Sequence, residues 1–409
     1  MNLNRRAFTG TLASGLLAAP LAGLSSLARA QGNEIVIGSI QDMSGPLQPF
    51  GRGKSNVLKF GVAQINAAGG LLGRPLRIVE YDTQSNNQLY AQFGQQLALR
   101  DKAVVAFGGV TSAAREVVRP VLRRANVPYF YNMPYEGGVC DRNTVLTGVT
   151  PSHALRTIVP HLIKNHGKKL YVLGADYNFG QLSAKWIRRL AAEHGGEVVG
   201  VELFPMDAAN FNTTIAKIQA AAPNAIINSF VGPAHGSFYG QWAASGMKGK
   251  VALASQTFGD VGEHLLMPKE ITNGVIVCTN YFEELDMPSN KAFIKAYRDA
   301  GHKDYVSNTT MNEYVALRLW AAAVAKAGSL ERNAVLKALE SNLSIDAPHG
   351  QVALDPATHH CSYDMYLAEV RDGGYRVLDK SRAVTAIDMV GQCDLVKNPN
   401  TNQQFEPRI

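Results

Sequence analysis

Short apolar runs rich in β-branched residues alternate with helical patterns along almost the whole chain, and this alternation constrains the fold more than any other feature. It is the pattern of parallel sheets covered by helices on both faces, whose strands are buried on both sides. Residues 34–40 and 76–82 are expected strands, separated by a helix over 54–67 with Leu58, Val62 and Ile65 on one face. Leu89, Phe93 and Leu97 stripe the next helix, and strands at 104–107 and 128–131 flank a helix from Ser112 to Ala125. After Thr150 the grammar repeats: helix 152–165, strand 169–175, helix 181–194, strand 198–204, helix 211–221 and strand 225–230. Strands near 251–255 and 274–278, three helices over 289–342 and a hairpin over 365–379 follow. The expected fold class is α/β. About 380 residues beyond position 30 exceed what one core usually holds, so two lobes follow. No low-complexity linker divides the series, which implies several short crossovers with a cleft between the lobes.

The first thirty residues read as a cleaved twin-arginine export signal, from Arg5-Arg6 and Phe8 to the small-residue site Ala28-Arg29-Ala30. Its Gly, Ser, Thr and Pro20 make it a poor membrane helix, so the mature chain is expected in the periplasm with no direct membrane insertion. Without Arg5, Arg6 and Arg29 the formal charge falls from +7 to 7 − 3 = +4, with no basic stripe suited to nucleic acid. Cys140, Cys278, Cys361 and Cys393 are too far apart for a zinc motif, and export makes one or two disulfides plausible in any of three full pairings. Adjacent side chains in His359-His360-Cys361 cannot converge on one ion if the segment is extended, so a surface loop is expected and no metal or other cofactor is assigned. The Asn-, Gln- and Pro-rich tail, 396–409, is expected to be loose.

Enzyme signatures fail on inspection. Gly53-Lys54-Ser55 resembles the end of a phosphate loop opening a helix, but position 48 is Gln where the first glycine is required. No nucleophile elbow, zinc-protease motif or dinucleotide fingerprint is present, so the chain is read as a non-enzyme. Ligands of open α/β sheets collect at loops leaving the carboxyl ends of strands. Four such loops are unusual: residues 41–51; Gly108-Gly109-Val110-Thr111-Ser112; Tyr131 to Gly137, with Met133, Tyr135 and Glu136; and Ala175 to Gly180, with Tyr177 and Phe179. Ser112 could instead be a plain helix N-cap, and Tyr131 and Tyr177 ordinary strand-end aromatics. Their joint placement in both series favours binding.

The run over 65–82, the GGVTS turn, the MPYEG and GADYNFG loops and the late IDAPHG segment resemble periplasmic solute-binding proteins of ABC importers. Within that family the chain is most similar to the branched-chain amino acid receptor group, and there to urea and short-chain amide receptors. The resemblance implies two Rossmann-like lobes joined by three crossovers, 33–150 plus 280–345 and 151–279 plus 346–395, closing on ligand. It places Ser112 as the lobe-one hydroxyl holding a ligand carbonyl or carboxylate, Tyr131 and Met133 beside it, and Tyr177 and Phe179 as lobe-two lids. Amino acid receptors add a lobe-two carboxylate for the ammonium. The matching loop here reads Ser255-Gln256-Thr257-Phe258-Gly259, with Asp260 beyond it, so Thr257 and Phe258 are expected at the site and a zwitterion is disfavoured unless the register shifts. The expected function is capture of urea or a short amide by a monomer, for delivery to an ABC permease in the inner membrane. The alternatives are an amino acid receptor or a periplasmic sensor.

Overall fold

The computed structural model describes residues 33–409, and the expected export signal lies outside them. The N-terminal series builds a five-stranded parallel sheet in the order β2-β1-β3-β4-β6. Its strands are β1 (Ile35–Gln41), β2 (Leu76–Asp82), β3 (Ala106–Gly108), β4 (Tyr129–Tyr131) and β6 (Thr144–Leu146). Helices α1 (Gln48–Ala67), α2 (Asn87–Leu99) and α3 (Ser112–Arg124) make the connections. α1 starts six residues before the expected position, with Pro49 in its first turn, so Gly53-Lys54-Ser55 lies inside the helix and does not open it.

The second sheet has nine strands. Its parallel part, β8-β7-β9-β10-β11, consists of β7 (Lys169–Ala175), β8 (Glu197–Phe204), β9 (Ala225–Ser229), β10 (Ala252–Ser255) and β11 (Ile276–Thr279). Helices α4 (Pro151–Asn165), α5 (Asn178–Glu193), α6 (Asn212–Ala221) and α7 (Ala234–Ala244) belong to this half, with α8 (Glu263–Leu266) and α9 (Lys269–Thr272) as single turns. β14 (Cys361–Arg371) then pairs antiparallel with β11 and with β15 (Gly374–Val384), which is the expected late hairpin. β12 (Ser344–Ala347) and β13 (Gly350–Leu354) extend the sheet beyond β14.

Of the three late helices, α10 (Pro288–Asp299), α11 (Asn308–Ala327) and α12 (Arg332–Leu339), the middle one is buried along most of its length and lies on α1. Gly61 permits that approach: a Cβ there would fall 2.7 Å from Leu317 Cδ2. Mixed α/β architecture with parallel sheets follows from these pairings.

Two expectations about the C-terminal third are overturned. The tail is pinned: β16 (Asn402–Gln404) pairs antiparallel with β5 (Val139–Asp141), and Cys140 is joined to Cys393. Arg123 Nη1 and Nη2 donate to the carbonyls of Thr401 and Asn400 at 2.9 Å each, so guanidinium groups and a covalent bond order a segment with little apolar content of its own. His359, His360 and Cys361 are buried, not a surface loop, because His359 turns at φ 57 and His360 stacks on Tyr135. Cys278 and Cys361 remain buried thiols. Among the described residues no group of three or more His, Cys, Asp or Glu is placed to hold a metal ion, and no helix is long and apolar enough to cross a membrane.

Candidate functional site

The carboxyl ends of strands from both sheets face one cavity of about 40 Å³. From the first sheet come Leu47 and Phe50 at the start of α1, Val110 to Ser112 after β3, and Tyr131, Met133 and Pro134 after β4. From the second come Tyr177 and Phe179 after β7, Met206 after β8, Phe230 to Gly232 and His235 after β9, and Thr257, Asp260 and Glu263 after β10.

Ser112 is the first residue of α3 but does not cap it. Thr111 does, its Oγ1 accepting from Ala114 N at 3.1 Å, so the serine hydroxyl is free of that task, and Ser112 lines the cavity. The turn needs Gly108 and Gly109, at φ 125 and 90, and a Cβ on Gly108 would meet the Ile40 carbonyl at 2.0 Å. Lys54 reaches from inside α1 to donate to the Gly109 carbonyl at 2.6 Å, which fixes the turn from beneath. The Tyr131 hydroxyl donates to the Val110 carbonyl at 2.8 Å, presenting its ring edge-on to Tyr135.

On the opposite wall, Tyr177 and Phe179 stack with ring centroids 6.2 Å apart. Burial raises the Tyr177 phenol, and Glu136, Tyr131 and Asp260 add to the effect, so it stays a neutral hydroxyl. Thr257 Oγ1 donates to the Phe230 carbonyl at 2.6 Å and lies 3.3 Å from His235 Nε2. His235 Nδ1 sits 3.5 Å from Glu263 Oε1.

The loop after β10 turns at Gly259 and Gly262, at φ 97 and 79, and this brings two carboxylates to the cavity. Glu263 Oε2 accepts from the amides of Gly259 and Val261 at 3.0 and 3.1 Å. Burial would raise the Glu263 carboxyl, but His235 and the backbone amides outweigh it and hold it below the usual range. Asp260 is pushed well above that range, first by burial and then by Glu263, with a hydrogen bond from Asn308 opposing.

Six of the nine expected site residues therefore line the cavity: Ser112, Tyr131, Met133, Tyr177, Phe179 and Thr257. Three do not. Glu136 lies behind Ser112, accepting its hydroxyl at 2.5 Å and pairing with buried Arg115 at 3.1 Å. Tyr135 turns away to stack on His360 and bond its Nε2. Phe258 packs into the core against His235 and Tyr239. The sequence pointed to Asp260 only through a register shift of the loop after strand 251–255, and to Glu263, His235 and Phe230 not at all. The glycines bracketing Asp260 were a usable signal for a turn, and the strand-end rule applied to strand 225–230 would have reached Phe230 and His235.

A periplasmic binding protein family model matches residues 34–375. Leu/Ile/Val-binding protein homolog 4 of Brucella abortus is 25% identical over 393 residues, covering 88% of this chain and 89% of the relative. Homolog 7 from the same organism is 23% identical over 359 residues, covering 83% and 88%. An amino acid ABC transporter substrate-binding protein from Pseudomonas fluorescens Pf-5 superposes with TM-score 0.79 at 22% identity, covering 88% of this chain and 99% of the other. An R. palustris solute-binding protein in complex with 4-hydroxybenzoate gives 0.78 at 24%, covering 88% and 100%. The homologues are substrate-binding receptors, not enzymes. The chain belongs to the periplasmic binding protein family, the solute receptors that work with ABC permeases.

Proposed function

We propose that this receptor captures a small amino-bearing solute, an α-amino acid in the first instance, and hands it to an inner-membrane ABC permease. The observation that carries the reading is the charge of the lining: Asp260 and Glu263 face the cavity, and among the described residues no lysine or arginine does. Two close carboxylates share a site poorly unless a proton or a cation lies between them, and a ligand ammonium supplies that cation. The loop 255–259 carries no acid, and the reading rests on the register shift in which Asp260, just beyond it, serves the ligand ammonium. Phe50, Tyr177, Phe179 and Phe230 offer apolar faces for the rest of the solute. The bodies that close on it are the segments 33–150 plus 280–345 and 151–279 plus 346–395. Ligand contacts with both stabilise the closed form.

Urea or a short amide is the second reading, favoured by the lack, among the described residues, of a lysine or arginine in the lining to anchor a carboxylate. Isothermal titration with leucine, valine, threonine, urea, acetamide and benzoate separates these readings. A neutral amino acid should bind, and Asp260→Asn should weaken it by tenfold or more. Binding of urea or acetamide with no response to any amino acid would establish the second reading at the expense of the first.

A further inference from the structure

A chain of polar groups running from the C-terminal segment supports Ser112 from behind. Arg115 Nη2 donates to Gln404 Oε1 and to Glu136 Oε1, each at 3.1 Å, and Glu136 Oε2 accepts from Ser112 Oγ at 2.5 Å. Gln404 Nε2 donates to the Gly137 carbonyl at 2.9 Å, which locks this β16 residue to the loop that carries Glu136. Arg115 and Glu136 are 0% and 1% exposed, and the guanidinium lies 5.0 Å and 4.6 Å from the ring centroids of Tyr131 and Tyr135. It is clamped between β16, α3 and the β4 loop and does not reach the cavity.

The direction of the Ser112 bond follows from proton inventory. Glu136, ion-paired with a guanidinium, has acceptor sites only, so the serine is the donor in this short contact. A hydroxyl has one proton. With it given to Glu136, the Ser112 oxygen offers lone pairs alone, and Arg115 Nη1 stands near one of them at 3.4 Å.

We propose that Arg115, Glu136 and Gln404 are positioning residues that fix Ser112 as a hydrogen-bond acceptor, so that this wall of the cavity selects a ligand N–H over a carboxylate oxygen. The proposal rests on the cavity being the solute site and names what Ser112 reads there. A ligand carboxylate is then served by main-chain N–H groups at the start of α3, which have no intrahelical partners. The family-based expectation that the Ser112 hydroxyl donates to a carbonyl or carboxylate is inverted by one buried acid.

Titration calorimetry of the full mature chain tests this, with L-leucine, its des-amino counterpart 4-methylpentanoate, acetamide and benzoate as probes. Wild type should bind leucine or acetamide at least tenfold more tightly than 4-methylpentanoate or benzoate. In Glu136→Gln the side-chain amide can donate to Ser112 and release its proton toward the cavity, so that preference should fall at least tenfold. A merely structural role would weaken every probe by the same factor. Gln404→Ala, which removes a tether at the partly exposed end of β16, should shift the preference in the same direction by a smaller factor, and it decides the matter if Glu136→Gln does not fold. An unchanged preference overturns the proposal, as does a wild type that binds only 4-methylpentanoate or benzoate, or none of the four. Binding of acetamide without leucine overturns the amino acid reading and leaves the variants to judge Ser112.

Discussion

Replacing Lys54 with Met should destabilise the protein by an amount that grows with pH. Lys54 and Glu313 are both fully buried with Nζ and Oε2 3.8 Å apart, an attraction of about 4 kcal/mol at an effective dielectric of about 20. Desolvation costs several kcal/mol per ion, so the pair is finely balanced. Burial pushes Lys54 down to about 8 against the pull of Glu313 and Asp42, and burial pushes Glu313 up to about 7 against the pull of Lys54. Between pH 4.5 and 7 the native state holds a proton on Glu313 that the unfolded chain releases, so stability falls with rising pH, by about 1.4 kcal/mol per unit. In wild type that loss ends near pH 7. Between pH 8 and 10.5 the unfolded chain holds the extra proton, on Lys54, and stability rises again. Without Lys54 the Glu313 carboxyl stays protonated to higher pH and the loss continues. The stability gap between wild type and Lys54→Met should be flat from pH 5 to 6.5 and then open, becoming about 3–4 kcal/mol wider at pH 9. Urea unfolding at pH 5, 6, 7, 8 and 9, followed by far-UV circular dichroism, measures it. A gap of equal size at pH 6 and pH 9 would refute the reasoning.

Three further outcomes are expected. Cys140→Ser with Cys393→Ser, which opens a link between residues 253 apart, should cost about 2–5 kcal/mol in urea unfolding and speed amide exchange at Asn402–Gln404. Gly108→Ala should cost about 1–3 kcal/mol, because its φ of 125 and the 2.0 Å approach of the Ile40 carbonyl both oppose a side chain; a thermal midpoint equal to wild type would contradict the assigned turn. Ser112→Ala and Tyr177→Ala should each weaken the solute identified by calorimetry about tenfold or more. Unchanged affinity in both would move the site elsewhere.

The parallel strands were legible as short β-branched apolar runs, which burial on both faces leaves uninterrupted in central strands such as Ile35–Gln41 and Ala225–Ser229 and which persist in the half-buried edge strand Glu197–Phe204. Lys169–Ala175 matches its expected span residue for residue, and Glu197–Phe204 differs by one. Val139–Asp141 and Thr144–Leu146 are too short for any periodicity to register. The helix Ala234–Ala244 escaped notice because Phe238, Tyr239 and Trp242 are all buried and Gly236 and Gly240 interrupt the pattern. At the site, strand-end placement found the residues of Ser112 and Tyr177, whose loops follow directly from their strands. Asp260 and Glu263 depend on two glycines with positive φ, a choice that the residues permit and only the packed loop requires. Glu136 was found as a site residue yet serves from behind, because which way a strand-end side chain points depends on partners such as Arg115, distant until the chain folds.

The pairing of Asn402–Gln404 with Val139–Asp141 sets a clock on biosynthesis. From Asp141 to Asn402 is 402 − 141 = 261 residues, roughly 15–50 s of translation at about 5–20 residues per second. Through that interval the edge at β5 lacks its partner strand and Arg115 lacks Gln404, and Cys140 lacks its mate until Cys393, nine residues before its end. The five-stranded sheet is fully encoded by Leu146, but the separate strand pair that backs Glu136 and Arg115 is completed only near the C-terminus, so the support behind Ser112 is unfinished while the chain is still being made.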